Sequence, residues 1–292
     1  EVPVVDTSQV NARQVWDAAY LQKATVGTAK RSYQSVLSQA AGVAGGSNPN
    51  VFGSTEGENA YLVDGMNTTD TVTGTWTTML NMDSIEEMNF QTGGFEAEFG
   101  QATGGIVNLV TKSGGNELSG SLDLRYRDEG FTESGEHYDR DAQQSFYSLA
   151  SATLGGPILR DRLWFFTAFE YLDSSSQDRY AYFPFEREGW QLMGKLTWQL
   201  SDANRLTGKY SIDPYELPGI NSSRYWAPSA RGTQEEGSEI WQLELGSVLS
   251  ASLLLNVQMG YLDEYIRQLP TDNSSTIPGH VDEDTGLWYG NY

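Results

Sequence analysis

The sequence predicts a transmembrane β-barrel of the outer-membrane type, preceded by a smaller α+β domain. Three observations predict it. Beyond Asn116 apolar and polar residues alternate over segments of about ten residues, the length a tilted strand needs to cross a bilayer. The apolar faces of those segments carry aromatics near their ends, where membrane–water interfaces favour them. Tight turns alternate with long loops rich in acids, glycine, proline and aromatics, as in barrels with short turns at one end and long loops at the other.

The totals set the bounds. A chain of 292 residues can hold one large β domain or two ordinary ones. Thirty-nine acidic against 18 basic residues give a formal charge of −21, which argues against nucleic acid and anionic lipid surfaces as partners. The absence of cysteine excludes disulfides and thiolate chemistry, and two histidines leave little for imidazole catalysis. No run of about 18 apolar residues encodes a transmembrane helix, so a membrane role requires a barrel. The opening "EVPVVDTSQV" has no secretory signal, which is expected to have been removed or left out.

In chain order, residues 1 to 58 read as an extended entry and two short helices. Val10, Trp16, Tyr20 and Leu21 form one helical face, and Tyr33, Val36, Leu37 and Ala40 form another that Gly42 stops. Strands follow at "AYLVDG", "IEEMNFQT" and "GGIVNLVT", completing a mixed domain over residues 1 to 115. From 116 to 292 come about seven long strands, at 118–127, 144–154, 162–172, 190–200, 205–213, 239–247 and 253–261. In 190–200, for example, Trp190, Leu192, Leu196, Trp198 and Leu200 oppose Gln191, Met193, Lys195, Thr197 and Gln199. Long loops are expected at 128–143, 174–188, 214–236 and 269–292. Alternation alone also fits a soluble sandwich or propeller. Globular strands, however, usually run about 5 to 6 residues. Seven strands cannot enclose a domain of this size, so that domain sits outside or the barrel is much wider than these strands.

Three stretches are similar to known proteins: "YLVDGMNTTD" at 61–70, "DSIEEMNFQTGGFEAEFGQATGGIVNLVTKSGGNELSGSL" at 83–122, and "LGGPILRDRLWFF" at 154–166. They resemble TonB-dependent outer-membrane receptors, most closely the Oar-like branch. The resemblance implies a plug domain (1–115) in the lumen of a 22-stranded barrel, of which 116–292 is the first, incomplete part. It implies that Thr111, Lys112, Ser113, Gly114, Gly115 and Asn116 join plug to barrel. It further implies uptake of a scarce solute across the bacterial outer membrane, energised by the TonB complex of the inner membrane. Outer-membrane lipid, an unidentified solute, peptide or glycan, and a surface lipoprotein or other envelope protein complete the expected partners, with no cofactor, no metal and no enzymatic activity.

Candidate chemistry elsewhere has plainer readings. Lys112-Ser113 follows Thr111 where a phosphate loop needs glycine. Glu86, Glu87, Glu96 and Glu98 could serve as an acid–base pair on glycans, but a solvated or ion-paired face is the commoner use. Asp64-Gly65 reads as a structural turn. Asp272, Asp282, Glu283 and Asp284 offer oxygens for calcium without EF-hand spacing. For recognition, the best candidates are the plug apex, Asn67, Thr68, Thr69, Asp70 and Trp76, and the loop aromatics Tyr180, Tyr182, Phe183, Tyr225 and Trp226, whose flat faces suit sugars, peptides or aromatic chelators. Phe185, Trp288 and Tyr289 extend that aromatic set. The competing functions are a secreted all-β surface or adhesion protein and a glycan-active enzyme.

Overall fold

The computed structural model describes residues 13–24, 32–45, 48–95, 102–131, 144–177, 180–270 and 278–290. The chain forms two compact units, Glu1–Ser113 and Gly114–Tyr292, each with its own sheet.

The first unit begins with β1 (Arg13–Asp17), α1 (Ala18–Lys23) and α2 (Tyr33–Leu37). β2 (Val43–Ala44) and β3 (Asn50–Val51) pair as a small ribbon. β4 (Ala60–Val63), β5 (Met66–Asn67), β6 (Ile85–Gln91) and β7 (Ile106–Thr111) join β1 in a sheet ordered β1-β6-β7-β4-β5. Among the described residues of this sheet, β4 and β7 form the parallel pair. The helical face expected through Trp16 is corrected here: Arg13–Asp17 is a strand on β6, and Trp16 stacks on Phe90 at 6.3 Å between ring centroids. A helix this short has little stability of its own, so tertiary pairing decides its boundary. α1 therefore starts only after Asp17, whose side chain caps it by accepting from Tyr20 N at 2.8 Å. Val10 lies outside the described residues. Asp64 and Gly65 both adopt positive φ, +49° and +78°, between the paired residues Val63 and Met66. This is the two-residue hairpin geometry that Asp-Gly favours. Leu21, Val36, Leu37, Ile85 and Met88 are fully buried beneath the sheet's strands and helices.

The second unit is a meander of long antiparallel strands. β8 (Ser119–Asp128), β9 (Gln144–Leu159), β10 (Leu163–Gln177) and β11 (Phe185–Ser201) follow in order. β12 (Asn204–Ile212) and β13 (Tyr215–Pro218) then share one place in the sheet, both pairing with β11 and with β14 (Gly232–Ser250). β15 (Leu253–Pro270) pairs with β14 and forms one edge, and β8 forms the other. The break between β12 and β13 is Asp213-Pro214, where proline has no N–H to give the ladder. The register passes through it unbroken, Ile212 opposite Glu239 and Tyr215 opposite Glu236. Asp213 fills the gap by accepting from Ser238 N and Oγ, each at 2.6 Å. Two further strands, β16 (His280–Val281) and β17 (Trp288–Tyr289), make a small ribbon.

The strands of this unit run well past the expected lengths: β10, β11, β14 and β15 have 15, 17, 19 and 18 residues. The ends of 174–188 and 214–236 are therefore strand, not loop. Ladder hydrogen bonds are indifferent to side chains, so pairing continues where the apolar pattern stops.

Polarity is inverted across the central strands. Leu196 is 51% exposed, Trp198 48% and Trp241 53%, whereas on the opposite face Arg187 is 4% exposed, Lys209 4% and Asp213 2%. Met193, expected among the polar residues, is also buried there with Phe166 and Ala168 in a small apolar cluster. The outward aromatics report strand tilt. From Tyr126 the row of directly opposed residues passes Ser148, Asp173, Glu188, Glu216 and Glu235 to Arg267. The aromatic belt instead descends through Tyr171, Trp190, Tyr210 and Trp241 to Tyr261, six positions short of Arg267 after six strand-to-strand steps. One residue per step, with the rise and spacing of a sheet, is a tilt of about 35°, within the range of closed barrels. On β11 the apolar positions from Leu200 to Trp190 then span roughly 28 Å along the strand's projection on the barrel axis, close to the height of a lipid-facing band.

Depth within that band sets the expected effect of charge. Leu196→Arg should destabilise the refolded protein in liposomes by about 2–4 kcal/mol, and Leu200→Arg, near the band's edge, by about 0–1 kcal/mol. Denaturant titration of both variants checks it. Equal effects at the two depths would contradict the band.

Candidate functional site

The segment expected at the plug apex is a tight loop built by its own side chains. Thr69 and Trp76 form an isolated antiparallel bridge across it. Asp70 N donates to Thr75 O, and Asp70 accepts from Val72 N at 2.6 Å, Thr73 N at 3.2 Å and Thr73 Oγ1 at 2.8 Å. Burial raises the Asp70 pKa, but these hydrogen bonds outweigh it, and the net pKa lies below the ordinary 3.8. Thr68 is buried and donates to Tyr61 O, while Asn67 accepts from Thr69 N. Beneath it, burial pushes the Tyr61 hydroxyl up to about 12, so it stays neutral. Thr68 and Asp70 thus hold the loop, Trp76 packs against the core, and the tip they present is Val72, 90% exposed.

The junction residues are anchored at both ends. Thr111 closes β7, where Asp64 accepts its N and Oγ1 at 2.7 Å each, and Lys112 N donates to Ser84 O. Gly114 lies so close to the Phe165 backbone that a Cβ could not fit. Asn116 clasps the β9–β10 turn. Its Nδ2 donates to Asp161 Oδ1 at 2.6 Å, and its Oδ1 accepts from Asp161 N at 2.9 Å and Trp164 Nε1 at 2.7 Å. Asp161 sits at φ +63°, a conformation such reciprocal bonding supports.

The loop aromatics divide. Tyr180, Tyr182 and Tyr225 are well exposed. Phe183 is buried, its carbonyl accepting from Ser222 Oγ and its ring lying beneath the Arg231 guanidinium. Trp226 stacks on Trp288 at 5.1 Å, almost parallel, and backbone bonds on either side tie 225–227 to Trp288. His280 stacks on Tyr289 in the same ribbon. Asp282 turns inward on its own loop, accepting from Asp284 N and Thr285 N, which lowers its pKa. Among the described residues no group of three or more acidic or histidine side chains could hold a metal. Glu96, Glu98 and Asp272 lie outside the described residues. Glu86 and Glu87 share a strand, and Glu87 accepts from Asn89 beside Arg13.

One buried polar cluster has no counterpart in the sequence reading. Arg187 pairs with Glu236 at 3.1 Å and lies over the Tyr215 ring at 4.6 Å. Gln191 donates to Glu170 at 2.7 Å and to the Tyr215 hydroxyl at 3.2 Å. Arg187, Tyr215 and Glu236 fall in segments read as loops, so their face could not be assigned. The signal that could have found them is parity: Arg187 and Gln191 continue the polar face opposite Trp190 and Leu192.

No protein-family model matches the chain. The TonB-dependent transporter Oar of Myxococcus xanthus is 27% identical over an alignment of 344 residues, covering 94% of this chain and 31% of that protein. The chain therefore spans about a third of the curated relative it matches. The outer-membrane transporter YddB of Escherichia coli superposes with a TM-score of 0.72 at 13% identity, over 96% of this chain and 43% of that one. The siderophore receptor PirA of Pseudomonas aeruginosa gives 0.66 at 15%, over 88% and 41%. At these identities the two structures establish the fold, that of outer-membrane β-barrel receptors. The chain is thus related to TonB-dependent transporters, its place is the outer membrane, and its relatives are transporters and receptors, not enzymes.

Two outcomes follow from this geometry. Asn116→Ala and Asp161→Ala should each destabilise the second unit by about 1–2 kcal/mol, and the double variant by less than their sum, read by denaturant titration. Because the folded-state pKa of Asp70 is depressed, its contribution is present above the unfolded pKa and is lost as pH falls through the folded one. Hydrogen exchange at Val72 and Thr73 should therefore lose protection on acidification below about pH 4, and Asp70→Ala, which removes the acceptor, should lack that protection at neutral pH.

Proposed function

We propose that this chain carries the plug and the first barrel strands of a TonB-dependent transporter that takes up a scarce solute across the outer membrane. The observation that carries the reading is inverted polarity in the second unit: tall apolar and aromatic side chains outward, charged and amide side chains buried on the other face. A soluble β protein hides its apolar face instead. The first unit, in this reading, occludes a wide barrel whose remaining strands complete the sheet beyond β8 and β15. TonB engages by adding a strand to the transporter, a mode in which main-chain bonds supply affinity. A bound solute can signal only by binding the TonB-competent state more tightly than the resting one.

Recognition is assigned to the exposed faces: Val72 at the tip of the 67–76 loop, with Asn67 and Thr69 beside it, and Tyr180, Tyr182 and Tyr225 on the long loops. Trp226 and Phe183 support those loops by packing. The relatives include siderophore receptors, which makes a ferric chelate the first solute to test, followed by cobalamin, oligosaccharides and peptides. No covalent step is required.

Growth of a deletion strain under iron, vitamin and glycan limitation, with uptake of labelled solute by the restored full-length protein, tests this. Uptake should vanish when the proton gradient is dissipated while binding persists. Tyr180→Ala combined with Tyr225→Ala should raise Kd about tenfold. Uptake unaffected by loss of the gradient would overturn the TonB-dependent reading.

A further inference from the structure

The outward face of the second unit contains an open apolar depression of about 770 Å³ whose floor is two glycines on neighbouring strands, Gly194 and Gly208. Gly194 is paired with Tyr210, and Gly208 with Leu196, so the two lie diagonally across the β11–β12 ladder. Nothing inside the protein calls for glycine at either position. Neither has positive φ. A Cβ at Gly194 would meet no atom within 4 Å, and one at Gly208 would meet only Leu243 Cδ1, at 3.9 Å. Glycine within a strand weakens it and often marks close approach by a ligand or another chain. The missing side chains leave space on the outside alone.

Phe165, Leu196, Leu243 and Met259 wall the depression on one level, and Tyr210, packed on Trp241 at 4.3 Å, roofs it from the next. The hydroxyl of Thr167, beside Gly194, is spent on Met193 O at 3.0 Å. The Trp241 indole N–H is likewise spent, on Glu239 at 2.9 Å. The depression lies below the aromatic belt through Tyr210, Trp241 and Tyr261, inside the apolar band, where the neighbouring material is hydrocarbon. The geometry points to a seat for a lipid acyl chain in the Gly194–Gly208 notch, continuous with the lipid-facing band. This rests on the membrane-spanning reading given above. Bulk lipid covers the rest of the band, whereas a chain in the notch gains contact on its flanks as well as its base, so this site retains lipid more tightly than its surroundings.

The test uses the full-length protein in liposomes doped with phosphatidylethanolamine brominated on its acyl chains. Trp241 fluorescence, isolated as the component lost in Trp241→Phe, reports occupancy of the notch. In the native protein this component should be quenched at severalfold lower brominated-lipid fraction than that of Trp198, an outward tryptophan on the same band. Gly194→Leu and Gly208→Leu should remove that difference while the heat-modifiable mobility of the folded barrel is retained. Because leucine in place of a strand glycine could disturb folding, Gly194→Ala with Gly208→Ala provides a milder filling that should narrow the difference partway. Equal quenching of the two tryptophans in an inserted native protein overturns the lipid seat and leaves the barrel reading standing. A difference abolished together with self-association, read by cross-linking, assigns the notch to a second copy and likewise overturns it. Failure to insert into liposomes overturns both.

Discussion

Hydrocarbon offers no partner for a peptide N–H or C=O, and that constraint orders everything in the second unit. Each backbone group at membrane depth has to be bonded within the sheet, so the strands are long, antiparallel and connected by the shortest turns at one end. The same solvent reverses the usual placement of side chains. Leu196, Trp198, Trp241 and Leu243 stand outward, and Arg187, Gln191, Lys209 and Asp213 are buried on the other face. Burying such groups is tolerable only when they are paired. The Arg187–Glu236 pair, the Gln191–Glu170 bond and the Asp213–Ser238 clasp supply that pairing.

Tilt follows from closure. A sheet that curls into a barrel has to slant its strands, and a horizontal belt of aromatics then crosses the register rows obliquely. The descent from Tyr126 to Tyr261 is that crossing. Above the belt the sheet carries Asp173, Glu188, Glu216 and Glu235 side by side on adjacent strands, an arrangement that water tolerates and lipid does not. The acidic row thus lies beyond the belt on the long-loop side, two residues past Tyr171 on β10 and six past Trp241 on β14.

The first unit follows ordinary globular rules, with a buried apolar core and polar loops that stitch themselves. Its 67–76 loop is held by its own side chains: Asp70 and Thr68 are committed to backbone groups, leaving the tip to project. The junction shows the same economy. Asp64, a hairpin residue, also grips Thr111, Lys112 is bonded to Ser84, and Asn116 grips the β9–β10 turn.

Much of this was legible in the residues alone. Period-two alternation identified the long strands and their outward faces, Asp64-Gly65 announced a turn, and the quoted stretches around Thr111 to Asn116 pointed to the transporter relatives, because each signal is local and chemical. What only the tertiary structure decided is nonlocal. Trp16 became a strand residue because β6 was there to pair with it. The strands outran their apolar pattern because ladder bonds do not read side chains. Trp226 met Trp288, and Arg187 met Tyr215 and Glu236, across loops and strands far apart in the chain. A sequence records which residues prefer lipid, water or a turn; which distant residues satisfy one another depends on register and tilt, and those are set when the whole sheet forms.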